Sequence, residues 1–313
     1  MSVWLPTSPC TPEACAGHEG RTASVPHAVL RLTGAVALIL LGILGAPPVR
    51  LLPAGPRHAV VRAWSAALVR AFGIRITVHG SPGRRGGRLL VANHISWLDI
   101  PLVAAVMPSR MLAKSDIRDW PVLGRLAGRA GTLFIERDRI RALPATVTTM
   151  TRALLAGDRV AVFPEGSTWC GRAQGAFRRA AFQSALDAKV PVQPVHLAYL
   201  RPDGSPAGAP AFVGDDPLTA SLWRIARARG IRAEVTLLPR IPPGRHTDRR
   251  DLAAAAQRAV TGRASERTPR TALPGQTTGP SATDRDSAKR PAASVHHWVS
   301  SSPAAASSFR TPS

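Results

Sequence analysis

Apolar and polar positions alternate with two different periods along the middle of the chain. Short apolar runs bounded by Gly and Pro predict β-strands, and longer stretches with apolar residues three and four apart predict α-helices. The predicted strands cover residues 75–78, 89–92, 132–135, 160–163, 192–200 and 234–238. The predicted helices cover residues 100–106, 140–155, 177–187, 218–228 and 251–260. Strands that alternate with helices indicate an α/β fold, with a mostly parallel sheet flanked by helices.

The N-terminal part of the chain is more apolar than the rest. Residues 32–48 (LTGAVALILLGILGAPP) form a run slightly shorter than the ~20 residues that cross a bilayer. Residues 58–72 follow with an amphipathic helical pattern. Two such helices in succession predict a membrane-anchoring segment, with a buried core helix as the alternative for the first. Arginines follow the apolar run closely, which favours the cytoplasmic face of the cell membrane for the remainder.

Both ends of the chain are rich in Pro, Ser, Thr and Gly without a period, which predicts disorder. We therefore expect four segments. They are a disordered leader (1–27), a membrane-associated helix (28–57), one α/β domain (58–262) and a disordered basic tail (263–313).

The charge of the chain is strongly positive, at +22 over 313 residues. Such a charge first suggests nucleic acid, because clustered Lys and Arg bind phosphate backbones. Here the arginines are scattered along the chain, and the 5% of aromatic residues leave few platforms on which bases could stack. We expect no nucleic-acid partner, and an anionic membrane surface matches the charge better.

The chain has three cysteines, Cys10, Cys15 and Cys170. Neither a disulfide framework nor a metal site is expected, because no His or Cys partners lie at ligand spacing in the sequence.

A histidine and an aspartate follow the predicted strand 89–92. His94 and Asp99 are five residues apart, so on one continuous helix they would lie on divergent faces. We expect them to span a junction between a loop and a helix, where the Asp99 carboxylate can reach the His94 imidazole. A histidine oriented by a carboxylate is suited to removing a proton from a hydroxyl group.

Both residues also have ordinary structural explanations. Ser96 and Asp99 match a capping box, in which an acidic side chain binds free amides at the start of a helix. A single histidine after a strand is more often structural than catalytic. The pair alone would therefore be a weak indication of catalysis.

Three further blocks lie at boundaries of predicted strands. They are residues 131–137 (GTLFIER), 162–168 (VFPEGST) and 190–195 (VPVQPV). In parallel sheets, ligands bind beyond the carboxyl ends of strands. The blocks and the His94–Asp99 pair could therefore line one crevice.

In this order and spacing the four blocks resemble those of the glycerolipid acyltransferase family, typified by bacterial 1-acylglycerol-3-phosphate acyltransferase. The resemblance covers roughly residues 60–238. It implies that His94 and Asp99 are the catalytic pair of an HX4D motif. It also implies a substrate-binding set, in which Arg137 contacts the acceptor phosphate and the fourth block helps to form the pocket. The other members of that set are Glu165, Gly166, Ser167 and Thr168.

The third block departs from the family pattern at one position. The family usually has Glu-Gly-Thr-Arg there, whereas this chain has Thr168 at the place of the arginine. The phosphate head group is therefore in doubt, because a cation is missing. Three arginines that follow nearby could replace it: Arg172, Arg178 and Arg179.

The resemblance implies transfer of a fatty acyl group to the free hydroxyl of a lysophospholipid, in phospholipid biosynthesis. The expected acceptor is 1-acyl-sn-glycerol-3-phosphate, which gives phosphatidic acid; lyso-ornithine lipid or another lyso-lipid is the alternative. The donor would be acyl-CoA or acyl carrier protein, and no cofactor is expected. A non-catalytic scaffold on the membrane surface is a further alternative, against which the retention of both His94 and Asp99 argues.

Overall fold

The structure is a computed structural model that describes residues 8–18, 20–83, 86–116, 124, 125, 128, 131–136 and 140–267. Seven strands form one sheet within this part of the chain. They are β1 (Arg75–His79), β2 (Arg88–Ala92), β3 (Arg110–Lys114), β4 (Leu133–Ile135), β5 (Arg159–Val162), β6 (Val192–Leu200) and β7 (Arg232–Leu237).

The sheet has the order β1-β7-β6-β2-β5-β3-β4. Neighbouring strands are parallel except for β6 and β7, which pair antiparallel. Because β2 pairs with β5 in the same direction, the carboxyl ends of these two central strands lie at the same edge. The prediction of a mostly parallel sheet flanked by helices is confirmed.

Helices cover both faces of the sheet. The described helices are α1 (Pro12–Cys15), α2 (Val25–Arg50), α3 (Ala54–Ala71), α4 (Asp99–Val106), α5 (Leu143–Leu155), α6 (Phe182–Asp187), α7 (Leu218–Arg227) and α8 (Arg249–Arg267). One apolar core contains residues of α3, α4 and α7, and the other contains residues of α5, α6 and α8.

Strand β2 lies between these two cores. Leu90 and Ala92 point into the first core, whereas Leu89 and Val91 point into the second. This alternation follows from the two-residue period of a strand, and it explains why all residues of β2 after Arg88 are apolar rather than every second one. A strand buried on both faces gives a rigid support for the residues that follow it.

The apolar N-terminal segment forms helix α2, which is longer than the apolar run suggested. It has 26 residues and continues through Pro47 and Pro48 in its last turn. It is the one described helix long and apolar enough to cross a membrane. Of its residues only Ala28 and Ala35 are buried against the domain, whereas Leu41 and Leu44 are exposed. The helix therefore presents an apolar face that the described protein does not cover.

The prediction that the leader is disordered up to residue 27 is wrong for the residues that the structure describes. Residues 11–15 form a capped turn of helix, α1. Thr22 forms an antiparallel bridge with Ala228, and the N–H of Ala23 donates to the carbonyl of Arg227 at 2.7 Å. Pairing with the end of α7 gives this polar segment partners that its composition does not reveal. Of the expected tail, residues 263–267 continue α8, and residues 268–313 lie outside the described residues.

The folded leader brings the three cysteines together, which their spacing in the sequence did not suggest. Sγ atoms of Cys10, Cys15 and Cys170 lie within 4.8 Å of one another. The sequence spacing concealed this cluster because about 155 residues separate Cys15 from Cys170, and only the return of the leader to the domain brings them together.

Two elements differ from the predicted pattern. Strand β3, residues 110–114 (RMLAK), was not predicted, because it has polar residues at both ends and little apolar alternation. The helix predicted for residues 177–187 begins later, with a single 3₁₀ turn at Arg179–Ala181 followed by α6. Neither difference affects the prediction that β2 and β5 end at the same edge of the sheet.

Candidate active site

The chain leaves β2 through Asn93, whose side chain fixes the end of the strand. The Asn93 amide donates to the carbonyl of Leu197 at 2.9 Å and accepts from the N–H of the same residue at 2.8 Å. This two-way contact joins the start of the loop to β6. His94 follows directly and therefore begins from a fixed position.

His94 and Asp99 come together at this edge, as the spacing predicted. Nδ1 of His94 lies 2.8 Å from Oδ2 of Asp99. A carboxylate only accepts hydrogen bonds, so Nδ1 carries the proton and Nε2 keeps its lone pair. The His94 side chain is 18% exposed, whereas Asp99 has no exposed surface. A buried carboxylate therefore orients a partly exposed imidazole base.

Asp99 accepts hydrogen bonds on both carboxylate oxygens. Oδ2 also accepts from the N–H groups of Ile95 and Ser96, at 2.7 and 2.9 Å. Oδ1 accepts from the Tyr199 hydroxyl at 2.7 Å. The bond from the Ser96 N–H resembles half of the capping box that the sequence offered, but helix α4 begins only at Asp99, with Leu98 as its N-cap and no side-chain cap. The Asp99 side chain therefore holds the loop before the helix and orients His94 with the same oxygen.

Tyr199 is buried beside this carboxylate. Burial first, and then the charge of Asp99 and the hydrogen bond to it, raise the pKa of the Tyr199 hydroxyl well above its ordinary value. The hydroxyl therefore stays protonated and donates at physiological pH.

Glu165 supports the other side of His94. Oε2 accepts from the N–H of His94 at 2.8 Å, and Oε1 accepts from the N–H of Gly175 at 3.2 Å. Only 2% of its surface is exposed. Burial raises the pKa of the Glu165 carboxyl to about 8, against these two hydrogen bonds, which lower it. Glu165 thus points into the protein and holds the backbone of His94, a position that argues against direct contact with an acceptor.

The loop after β5 encloses the imidazole. The ring of Phe163 stacks on the ring of His94, with centroids 4.1 Å apart and planes 10° apart. The N–H of Trp169 donates to the carbonyl of His94 at 2.7 Å. The stacked Phe163 ring restricts rotation of the imidazole. The hydrogen bond from Trp169 holds the backbone of His94 against the loop.

The remaining residues of the third block lie in the same loop. Gly166 has a φ of 76°, which favours glycine, and its N–H closes a turn onto Phe163 at 3.1 Å. Oγ of Ser167 is buried without a hydrogen-bond partner among the described residues. Thr168 comes directly before Trp169 and is partly exposed. All three therefore lie between Glu165 and Trp169, the two residues of this loop that hydrogen-bond to the backbone of His94.

The two other blocks stand differently. Arg137 lies outside the described residues, so its contact with an acceptor stays a prediction; β4, which precedes it, is the edge strand, three positions from β2 or roughly 14 Å at the usual strand spacing. The fourth block starts β6, where the carbonyl of Pro191 accepts from the N–H of Leu89 at the start of β2. That end of β2 is opposite to His94, so the fourth block does not share an edge with the first and third blocks.

Several supporting residues were not assigned a role from the sequence. Phe163 lies in the third block, but its apolar side chain gave no reason to expect contact with an imidazole. Tyr199 lies 100 residues from Asp99, and no local pattern could link them. Asn93 beside His94 offered a signal, because a polar residue directly after a buried strand needs hydrogen-bond partners.

The fold and site define an α/β protein with a carboxylate-oriented histidine at the carboxyl edge of its sheet. A family model described as Acyltransferase matches residues 75–198. Lyso-ornithine lipid O-acyltransferase of Pseudomonas aeruginosa is 39% identical over 204 residues, which are 65% of this chain and 78% of that protein. The chain belongs to the glycerolipid acyltransferase family and is an acyltransferase.

A second relative supports this assignment, and a solved structure supports the fold. 1-acyl-sn-glycerol-3-phosphate acyltransferase of Neisseria gonorrhoeae is 36% identical over 184 residues, covering 58% of this chain and 71% of that protein. The crystal structure of the 1-acyl-sn-glycerophosphate (LPA) acyltransferase PlsC from Thermotoga maritima matches with a TM-score of 0.59 at 19% identity. That match covers 77% of this chain and 95% of the other, and it confirms the fold.

Proposed function

We propose that the chain transfers a fatty acyl group from a thioester to the free hydroxyl of a lyso-lipid, with His94 as general base and Asp99 as its orienting partner. The observation that carries this proposal is the 2.8 Å contact from Nδ1 of His94 to buried Asp99, which leaves Nε2 as the basic atom of a partly exposed ring. Family membership and the intact pair argue against a non-catalytic scaffold.

The reaction proceeds by direct transfer. Nε2 of His94 takes the proton from the acceptor hydroxyl while its oxygen attacks the thioester carbonyl carbon. The negative Asp99 stabilises the imidazolium that forms. When the tetrahedral intermediate collapses, the C–S bond breaks, and the departing thiolate takes the proton from Nε2. The products are the acylated lipid and the free thiol of the carrier.

His94→Ala tests the role of the base. We expect transfer of radiolabelled acyl groups to fall by roughly 10²–10⁴-fold, the usual contribution of a general base. His79→Ala is a matched control, because Nε2 of His79 also lies 3.5 Å from a carboxylate, that of Glu234. Near-normal transfer by the His94 variant, in protein that elutes and unfolds as the wild type does, would exclude this mechanism.

For the acceptor, we propose 1-acyl-sn-glycerol-3-phosphate, which becomes phosphatidic acid. The support is that Arg137 follows β4 at the edge where β2 and β5 also end, and a guanidinium matches phosphate oxygens. The basic surface favours an anionic acceptor and donor. We assign the buried Ser167 hydroxyl and Thr168 to the acceptor side of the loop, Gly166 to its turn, and Glu165 to the positioning of His94.

Lyso-ornithine lipid is the second candidate acceptor. Thr168 stands where the family usually has an arginine, and a relative with 39% identity is named for this acceptor. Parallel assays of the purified protein with both acceptors separate the candidates. Thr168→Arg, with Thr168→Ser as its control, should increase the preference for the phosphate acceptor if a cation at this position selects phosphate.

The donor and the location complete the proposal. We propose acyl-CoA or acyl carrier protein as donor, and the cytoplasmic face of the cell membrane as location, with α2 and α3 as anchor. The exposed apolar face of α2 and the arginines that follow it support this location. Single-turnover assays with each thioester identify the donor.

A further inference from the structure

Three cysteines that are far apart in sequence meet beneath the active-site loop. Sγ atoms of Cys10, Cys15 and Cys170 all lie within 4.8 Å of one another. Cys10 and Cys170 are buried, and Cys15 is partly buried against the same core. These are all the cysteines of the chain, so the fold gathers the whole thiol content at one point.

The protein shapes the backbone around this cluster. A Cβ at Gly208 would lie 2.5 Å from the carbonyl oxygen of Gly17 and 2.6 Å from that of Cys15, so only glycine allows the leader to approach here. At Gly214 a Cβ would lie 3.4 Å from the carbonyl oxygen of Cys10, an ordinary contact, but the φ of 59° favours glycine there. The leader is therefore seated closely against residues 208–214, and this seat sets the positions of Cys10 and Cys15.

The third cysteine lies in a tight turn of the loop after β5. Cys170 is buried and directly precedes Gly171, whose φ of 82° favours glycine. A Cβ at Gly171 would lie 3.1 Å from Cδ1 of Ile95, so this turn is packed against the residue that follows His94.

From this geometry we propose that Cys10, Cys15 and Cys170 bind one thiophilic divalent cation of the zinc class. Around a tetrahedral Zn²⁺ with Zn–S bonds of about 2.3 Å, neighbouring sulfurs are roughly 3.8 Å apart, so the observed group needs at most a small contraction. Each bound thiol releases its proton to solvent. Among the described residues no other His, Cys, Asp or Glu belongs to the group, so solvent supplies the fourth ligand.

The cation would connect the leader to the catalytic histidine. Cys170 follows Trp169, whose N–H donates to the carbonyl of His94 at 2.7 Å. The N–H of Phe212, in the segment that seats the leader, donates to the carbonyl of Ile95 at 3.0 Å. Closing the cluster would therefore fix the leader and the loop around His94 as one unit. This role is structural and separate from the proposed acyl transfer.

The test uses the full-length wild type, reduced and stripped of metal by a chelator. We expect it to take up one equivalent of Zn²⁺, to resist alkylation of all three thiols by N-ethylmaleimide once Zn²⁺ is bound, and to unfold at a higher temperature. Co²⁺ in its place should produce thiolate-to-metal charge-transfer absorption. Because these measurements need neither substrate nor turnover, they succeed or fail independently of the proposed function.

Substitutions at single positions locate the site. Cys10→Ser, Cys15→Ser and Cys170→Ser should each weaken Zn²⁺ binding by more than the roughly 10–100-fold typical of losing an outer-shell contact. His18→Gln is the control, since its imidazole lies in the same leader but contacts the carbonyl of Arg21. Any of three results would overturn the proposal. The reduced wild type takes up no Zn²⁺, the variant with all three cysteines replaced by serine takes up as much Zn²⁺ as the wild type, or a disulfide between these cysteines persists under reduction. If a variant does not fold, alkylation of the wild type with and without Zn²⁺ still tests the proposal.

Discussion

At the scale of single residues, the site depends on hydrogen bonds that leave little freedom to His94. Asp99 fixes the proton-bearing Nδ1, Glu165 holds the backbone N–H, and Phe163 covers one face of the ring. Asp99 comes from the start of α4, whereas Glu165 and Phe163 both come from the loop after β5. The imidazole is thus placed before any substrate binds, a condition for efficient proton transfer.

Tyr199→Phe removes one contact to Asp99 and keeps the ring. Hydrogen bonds to charged groups contribute about 1.5–3 kcal/mol, so we expect a loss of stability of this size. We also expect a lower kcat with little change in KM, because Tyr199 acts through Asp99 and contacts no substrate. Chemical denaturation and steady-state kinetics measure the two effects, and a change confined to KM would contradict this role.

The raised pKa of Glu165 predicts how the free energy of unfolding depends on pH. Burial raises the pKa of its carboxyl from 4.5 to about 8, so the folded state holds a proton that the unfolded state releases. The contribution of Glu165 to the free energy of unfolding is therefore full below about pH 4.5 and decreases as the pH rises towards 8. Between these two pH values, folding takes up about one proton.

Glu165→Gln should remove that part of the pH dependence. The variant is less stable at low pH, because one amide oxygen replaces two acceptors, and the difference from wild type should narrow as pH rises. Thermal unfolding across this range measures the difference. A constant difference between the two proteins would show that Glu165 does not titrate there.

At the scale of elements, the parts found from sequence were those whose pattern is local. Strands β2 and β5 are apolar after their first residue, and the His94–Asp99 spacing lies within one strand-to-helix junction. Strand β3 and the folded leader were missed, because their stability comes from partners distant in sequence: β5 and β4 for the strand, and α7 for the leader. Periodicity cannot report such contacts.

The packing of α2 on α3 gives a prediction at this scale. Nε1 of Trp64 on α3 donates to the carbonyl of Leu38 on α2 at 2.8 Å, and a Cβ at Gly42 would lie 2.6 Å from the Trp64 ring. Gly42→Ala should therefore force the helices apart and cost about 1–3 kcal/mol.

Gly45→Ala is the matched control on the same helix. No atom lies within 4 Å of the added Cβ, and alanine favours a helix over glycine by roughly 0.5–1 kcal/mol. Thermal unfolding in detergent should therefore show a lower midpoint for the variant at position 42 and an unchanged or higher one for the variant at 45. Equal midpoints would contradict the close packing of the two helices.

At the scale of the whole molecule, one face is apolar and the surface is basic. Exposed leucines are concentrated on α2, where Leu41 and Leu44 are 61% and 75% exposed. The charge of +22 adds attraction to anionic lipid. The apolar face favours an orientation with α2 towards the bilayer, and the net charge strengthens attraction to the anionic surface without setting the orientation.

Leu44→Glu tests this orientation. A leucine buried in an apolar phase contributes about 1.5–3 kcal/mol, so partition into anionic vesicles should fall by at least about tenfold. Leu155→Glu is the control, because Leu155 is 66% exposed at the end of α5, which packs on the other face of the sheet. Flotation of both variants with vesicles measures the effect, and equal losses would mean that α2 is not the principal contact.

The contact of α3 with α4 has a consequence for kinetics. Helix α4 begins at Asp99, and Phe72 at the end of α3 lies edge-to-face against Trp97, with centroids 5.4 Å apart. Helix α3 and the reactive pair therefore belong to one packed layer, and the anchor proposed above would hold the pair at a constant depth relative to the lipid. An enzyme held in this way encounters its acceptor by lateral diffusion in two dimensions. Its rate should therefore follow the mole fraction of acceptor in the surface, and diluting that surface with inert lipid should slow the reaction even when the amount of acceptor in the tube is unchanged.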